Sequence, residues 1–150
     1  MRAKIIPDVV ERRELLAVEP AATAREAARL MAERQVAALL VMERRALVGI
    51  VTERDVTARV VAAGRDPDRT SVEAIMTPDP RTLAPDDSVP EALELMRLHG
   101  FRHLPVVEDG RPVAMVSVRD LHAAVQRQLE TELVNRDAWI MGLSDAWGGI

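Results

Sequence analysis

The chain has 150 residues, 48% of them hydrophobic and 29% charged, with a formal net charge of −4 and no cysteine. That balance fits a globular chain in water; the lack of cysteine excludes disulfides and thiolate metal sites, and the acidic balance argues against sequence-independent nucleic-acid binding, which needs a concentrated basic face. Met1-Arg2-Ala3-Lys4 leads into no apolar signal, and no apolar run approaches the roughly 20 residues that span a bilayer, so a cytoplasmic chain with no membrane partner is expected.

The predicted elements come twice. Slid against itself by 65 positions, the chain aligns residues 20–55 with 85–120 without a gap. Twelve of these 36 pairs are identical, among them Pro20/Pro85, Glu26/Glu91, Met31/Met96, Val41/Val106, Arg54/Arg119 and Asp55/Asp120. Equal spacing over that length marks a duplication, with repeats at 5–68 and 69–130 and a tail at 131–150.

Each repeat opens on a short extended stretch, Leu15–Val18 or Arg81–Ala84, ahead of a proline. Thr23-Ala-Arg-Glu26 and Ser88-Val-Pro-Glu91 then read as capping boxes, hydroxyl and carboxylate each satisfying a free amide. The helices that follow place Ala24, Ala27, Ala28 and Met31, or Val89, Ala92, Leu93 and Met96, on one face. Gly100 suits a left-handed helix end in the second copy, where the first has Gln35. Two apolar runs come next, Val36–Met42 and Leu47–Val51 in one copy, Phe101–Val107 and Val113–Val116 in the other. Their length and Val/Leu/Ile content predict strands, joined by turns at Glu43-Arg44-Arg45 and Glu108-Asp109-Gly110. A last helix starts at Thr52 or Ser117. Gly64 closes the first of these, and Arg65–Thr70 is the linker.

Each unit is therefore β-α-β-β-α, an α+β unit whose small sheet cannot bury both faces alone. Two copies packed sheet to sheet, related by a pseudo-twofold axis, solve that problem. The second copy continues as a charged helix, Leu121–Val134, followed by Trp139, Ile140, Met141 and Trp147. These apolar residues either fold back on the module or form a dimer or partner contact, where aromatic anchors dominate.

Thr52/Asp55 and Ser117/Asp120 carry two readings. A hydroxyl and an acid three residues on are what a helix start needs. The same free amides and dipole also attract phosphate. Arg54 and Arg119 precede the two aspartates and read either as solvated residues or as phosphate contacts. His99 and His103 stand four apart, but Gly100 and Phe101 interrupt a helix between them, and no metal site is expected. No nucleophile elbow, glycine-rich phosphate loop or carboxylate pair appears, so no enzyme activity is expected.

At this point the residues resemble a known family. Gly49-Ile50-Val51-Thr52-Glu53-Arg54-Asp55 is similar to the signature of the CBS domain, and Val113–Asp120 repeats it with Ala114 in the glycine's place, which should slightly restrict a turn. His103-Leu104-Pro105-Val106-Val107 resembles the family's second motif, whereas Ala38-Leu39-Leu40-Val41 lacks the proline. Ile75-Met76-Thr77-Pro78 matches the family's lead-in to a repeat, and Val9–Arg13 is a degraded version. The resemblance spans about residues 5–130.

It implies a tandem, non-catalytic regulatory module that requires no cofactor. Such a module takes an adenosine ligand such as AMP, ADP, ATP, S-adenosylmethionine or NAD in clefts between repeats. A homodimer and an unidentified protein target are the implied partners. Thr52 with Asp55, and Ser117 with Asp120, would hold ribose and phosphate. The backbone of Ala17, Val18, Thr82 and Leu83 would meet the adenine edge. Arg102 and His103 correspond to Ala37 and Ala38 in the first copy. The Asp55 cleft, with Arg102, His103 and Arg119, is therefore expected to be the stronger anion site. The Asp120 cleft, facing Ala37 and Ala38, should offer phosphate no charge. An interaction scaffold with empty clefts is the alternative.

Overall fold

A computed structural model describes residues 2–148, with side chains up to residue 142. The first repeat runs β1 (Ala17–Val18), α1 (Ala24–Arg34), β2 (Ala38–Glu43), β3 (Ala46–Thr52) and α2 (Glu53–Val56), and α2 continues through a wider helical turn at Thr57–Val61. The second runs α3 (Val72–Ile75), β4 (Thr77–Pro78), α4 (Val89–His99), β5 (His103–Glu108), β6 (Arg111–Ser117) and the long α5 (Val118–Gly148). An extra turn lies at Ile5–Val9.

The capping boxes are present. Glu26 N–H donates to Thr23 Oγ1 at 3.1 Å while Thr23 N–H donates to Glu26 Oε2 at 2.9 Å, and Ser88 with Glu91 repeats the pattern. Gln35 takes the left-handed backbone, φ 54°, that Gly100 takes at 70°. Both hairpins close on two residues of positive φ, Arg44 and Arg45 in one, Asp109 and Gly110 in the other. Such turns match the right-handed twist of the strands. The linker is fastened down rather than free. Ala24 N–H donates to Thr70 O, Arg25 N–H to Pro67 O, and the Arg25 guanidinium pairs with Asp68.

The sheets depart from the self-contained units expected from the repeat. One sheet has the order β1-β2-β3-β4, so the first repeat's β3 is flanked by a strand from the second repeat's lead-in, with Gly49 opposite Pro78. The exchange is mutual. Arg13 N–H donates to Val113 O on β6, and Arg12 donates two bonds to Glu108, at 3.0 and 2.7 Å. The cores follow this exchange. Val72 and Ile75 are buried with Ala27, Met31, Leu39, Val41 and Val51 of the first repeat. Ile5 and Ile6 are buried with Val89, Met96, Leu104, Val116 and Leu121 of the second. Each sheet has a free edge and each core an open end, and the neighbour's lead-in closes both.

The strands correct the expectation that Ala114 restricts a turn, and the exchange gives the reason for Gly49. Neither is in a turn. Gly49 lies within β3, where a Cβ would run into the Met76 side chain and stand 3.1 Å from Thr77 O. The glycine lets the crossing β4 backbone approach. Ala114, inside β6, is fully buried.

Candidate functional site

Two cavities lie between the repeats, related by the same 65-residue offset. The first, about 230 Å³, is lined by Ile50, Thr52, Arg54 and Asp55 of the first repeat and by Thr77, Phe101, Arg102 and His103 of the second. The second, about 330 Å³, sets Met115, Ser117 and Asp120 against Ala37, Ala38 and the segment Arg13–Leu16. In both, the signature strand delivers its hydroxyl and carboxylate at the helix start that follows it. Alternation along β3 sends Val51 into the core and Ile50 to the opposite face, so the cavity floor is apolar.

At the first helix start, Asp55 Oδ2 accepts from Thr52 N–H at 2.9 Å and from Thr52 Oγ1 at 3.1 Å, and Asp55 N–H donates back to Thr52 Oγ1. Asp55 Oδ1 is left with Arg59 Nε at 3.9 Å. The carboxylate is 14% exposed, so it is held in place yet reachable from the cavity. Ser117 and Asp120 reproduce the two reciprocal bonds, Ser117 N–H to Asp120 Oδ2 at 2.8 Å and Asp120 N–H to Ser117 Oγ at 3.1 Å. Arg59 also donates to Ile75 O at 3.0 Å and to Met76 O at 3.3 Å, tying α2 to the crossing segment beneath the cavity.

His103 is partly buried, and this desolvation lowers its pKa, outweighing the pull of Asp120 and Glu53 in the other direction; Arg102 adds to the lowering. His99 stacks on Phe101, ring centroids 5.6 Å apart, and both rings line the Asp55 cavity.

The structure thus brings Thr52, Arg54, Asp55, Arg102 and His103 together around one cavity, and Ser117, Asp120 and Ala38 around the other. Arg119 is elsewhere: it lines a third, larger cavity of about 770 Å³ that also includes Arg102, His103 and Ser117. Ala17, Val18, Thr82 and Leu83 line none of these three cavities. Leu83 is buried, and its N–H and C=O are both taken by β5, at Pro105 O and Val107 N–H.

The view that the Asp120 cavity offers phosphate no charge is corrected. Arg13 and His103 line it, with Glu14 beside them. Arg13 arrives through the exchanged N-terminal segment, which the alignment of the repeats does not reveal. Phe101, Thr77 and Ile50 also line the Asp55 cavity and Arg59 stands beside Asp55, although none of the four was expected as a site residue. Ile50 sits inside the signature and Phe101 just before the second motif, so their neighbours in sequence were the available signal.

This architecture defines a class: two duplicated sheet-and-helix units sharing paired polar clefts. The chain belongs to the CBS domain family, whose match covers residues 8–62 and 72–127. Over 125 residues, 80% of this chain, it is 36% identical to the mitochondrial CBS domain-containing protein CBSX3 of Arabidopsis thaliana. It spans only 20% and 61% of the lengths of the first two Arabidopsis relatives it matches. A putative signal-transduction protein with CBS domains from Burkholderia ambifaria superposes with a TM-score of 0.73 at 39% identity, over 75% of this chain and 83% of that one. The CBS domain protein PAE2072 of Pyrobaculum aerophilum, solved with AMP, superposes with a TM-score of 0.68 at 32% identity, over 75% and 86%. No helix among the described residues is long and apolar enough to cross a membrane.

Proposed function

We propose that this chain is a non-catalytic regulatory module that senses an adenosine phosphate, held first in the Asp55 cavity. One observation carries the reading: that cavity joins the Thr52/Asp55 helix start of one repeat to Arg102 and His103 of the other. Asp55 Oδ1 accepts from the ribose hydroxyls. The base lies on Ile50, Thr77 and Phe101, and the phosphates run toward Arg102 and His103. Guanidinium and a helix start are both good partners for phosphate. Arg54 and Arg102 offset Glu53 and Asp55 here, whereas Arg13 alone faces Glu14 and Asp120 in the other cavity. AMP bound by the Pyrobaculum relative supports the ligand class.

Thermal denaturation in the presence of AMP, ADP, ATP, S-adenosylmethionine and NAD tests this. A ligand at a hundred times its Kd adds about 2.7 kcal/mol, which raises the midpoint by about 5–10 °C in a chain of this size. No shift with any of them would refute the proposal, and nucleotide hydrolysis that disappears in Asp55→Ala would refute its non-catalytic part.

A second reading rests on α5. Leu129, Leu133, Val134, Trp139, Ile140 and Met141 are all exposed on it, Trp139 at 68%. None of these folds back onto the repeats. The side chain of Trp147 lies outside the described residues. We propose that this stretch supports a homodimer alongside the nucleotide function.

A further inference from the structure

We infer that the two nucleotide cavities share one imidazole, His103, and that a phosphate-bearing ligand in either cavity weakens binding in the other. The inference rests on the nucleotide reading above and adds a coupling between its two sites.

His103 opens β5 at the point where the repeats meet. It lines the Asp55 cavity beside Arg102, the Asp120 cavity beside Ser117, and the larger cavity that borders both. No other residue is common to the walls of all three. Its counterpart in the first repeat, Ala38, borders only the Asp120 cavity among them and has no side-chain donor to offer. A symmetric pair of histidines would serve each cavity separately. This chain has one side chain for both.

A neutral imidazole carries a single N–H donor, and its second nitrogen presents a lone pair. The ring that donates to a phosphate in one cavity therefore presents no donor to a phosphate in the other. Binding energies are linked reciprocally, so the factor lost is the same whichever cavity fills first. Losing one hydrogen bond to a charged group corresponds to about tenfold or more in Kd. Repulsion between two bound phosphates would act in the same direction, but it would not depend on His103 and would fade with salt.

Calorimetric titration of the full chain with AMP at about pH 8, where the imidazole is neutral and has one donor, separates these. Asp55→Asn leaves the Asp120 cavity to be measured alone, and Asp120→Asn does the same for the Asp55 cavity. In the wild type the second binding event should be about tenfold or more weaker than the same cavity measured alone. In His103→Ala that gap should close at high salt, where repulsion between the bound phosphates is screened. His103→Phe, which keeps the ring without the donor, gives the same answer should the alanine variant not fold. A wild type whose two events match the single-cavity values overturns the inference. So does a gap that survives at high salt in both His103 variants, or an Asp120 cavity that takes no AMP in Asp55→Asn. A wild type that binds no AMP at all overturns the nucleotide reading together with the coupling.

Discussion

Replacing Asp55 by Asn removes a charge while leaving the helix start able to form. One carboxylate oxygen, Oδ2, is already committed to Thr52 through bonds of 2.9 and 3.1 Å. An amide oxygen at the same place still accepts from the Thr52 N–H. The other oxygen faces the cavity with only Arg59 at 3.9 Å, and it is the one a ribose diol would use. In Asp55→Asn an NH₂ group takes its place, and one hydrogen bond to a charged acceptor is lost. That is about 1.5–3 kcal/mol, or about 10- to 150-fold in the Kd for AMP. Asp55→Ala should lose a similar amount of binding and, in addition, about 1 kcal/mol of stability from the lost capping-box bond to Thr52 N–H. In a chain of this length the second loss lowers the unfolding midpoint by about 2–4 °C. Isothermal titration with AMP and melting of the free protein read the two effects separately. The asparagine variant should bind poorly and melt like the wild type. An Asn variant that binds AMP within about threefold of wild type would refute the ribose assignment.

Arg102→Ala should weaken ATP by about tenfold and adenosine by less than twofold, with the ATP effect shrinking as salt rises, because it acts on phosphate; equal losses for both ligands would contradict this. Gly49→Ala should destabilise the fold by about 1–3 kcal/mol in denaturant unfolding, since the new methyl meets Met76 and the Thr77 carbonyl of the crossing strand, whereas a neutral result would leave the close approach without consequence. His103 has its pKa lowered by burial, so the native state takes up its proton less readily than the unfolded chain. The resulting stability is present above about pH 6.5, the ordinary histidine value, and is lost as pH falls below it. His103→Gln should flatten that fall in melts between about pH 7.5 and pH 5, while bound phosphate should oppose it. Removing residues after Gln128 takes Leu129 to Met141 from α5 and should turn the proposed dimer into a monomer by light scattering; an unchanged mass would remove the tail from the interface.

The duplication was legible because identical residues recur at one spacing, and the capping boxes because their chemistry is local. Thr23/Glu26 and Ser88/Glu91 need only each other and a free helix end. The two hairpins were legible for the same reason, even though Arg44 and Arg45 hold a turn more often given to Asn and Gly. The exchange of lead-in segments was not legible. Thr77–Pro78 and Arg12–Arg13 are too short to show a period, and their partners lie about 30 and 100 residues away in sequence. That one omission accounts for several others. It hid the reason for Gly49, the presence of Arg13 in the Asp120 cavity and the use of Ile5 and Ile6 in the second core. The facing of Asp55 toward Arg102 and His103 emerged from the resemblance, because pseudo-twofold packing follows from the fold. The sharing of His103 between cavities did not, since it depends on where three separate walls meet.

A structure of the full chain with AMP tests the central claim most directly. The account predicts the ribose hydroxyls at Asp55 Oδ1, the base over Ile50 and Phe101, and the phosphate beside Arg102 and His103. AMP seated away from Asp55, with its phosphate out of reach of both Arg102 and His103, would contradict it.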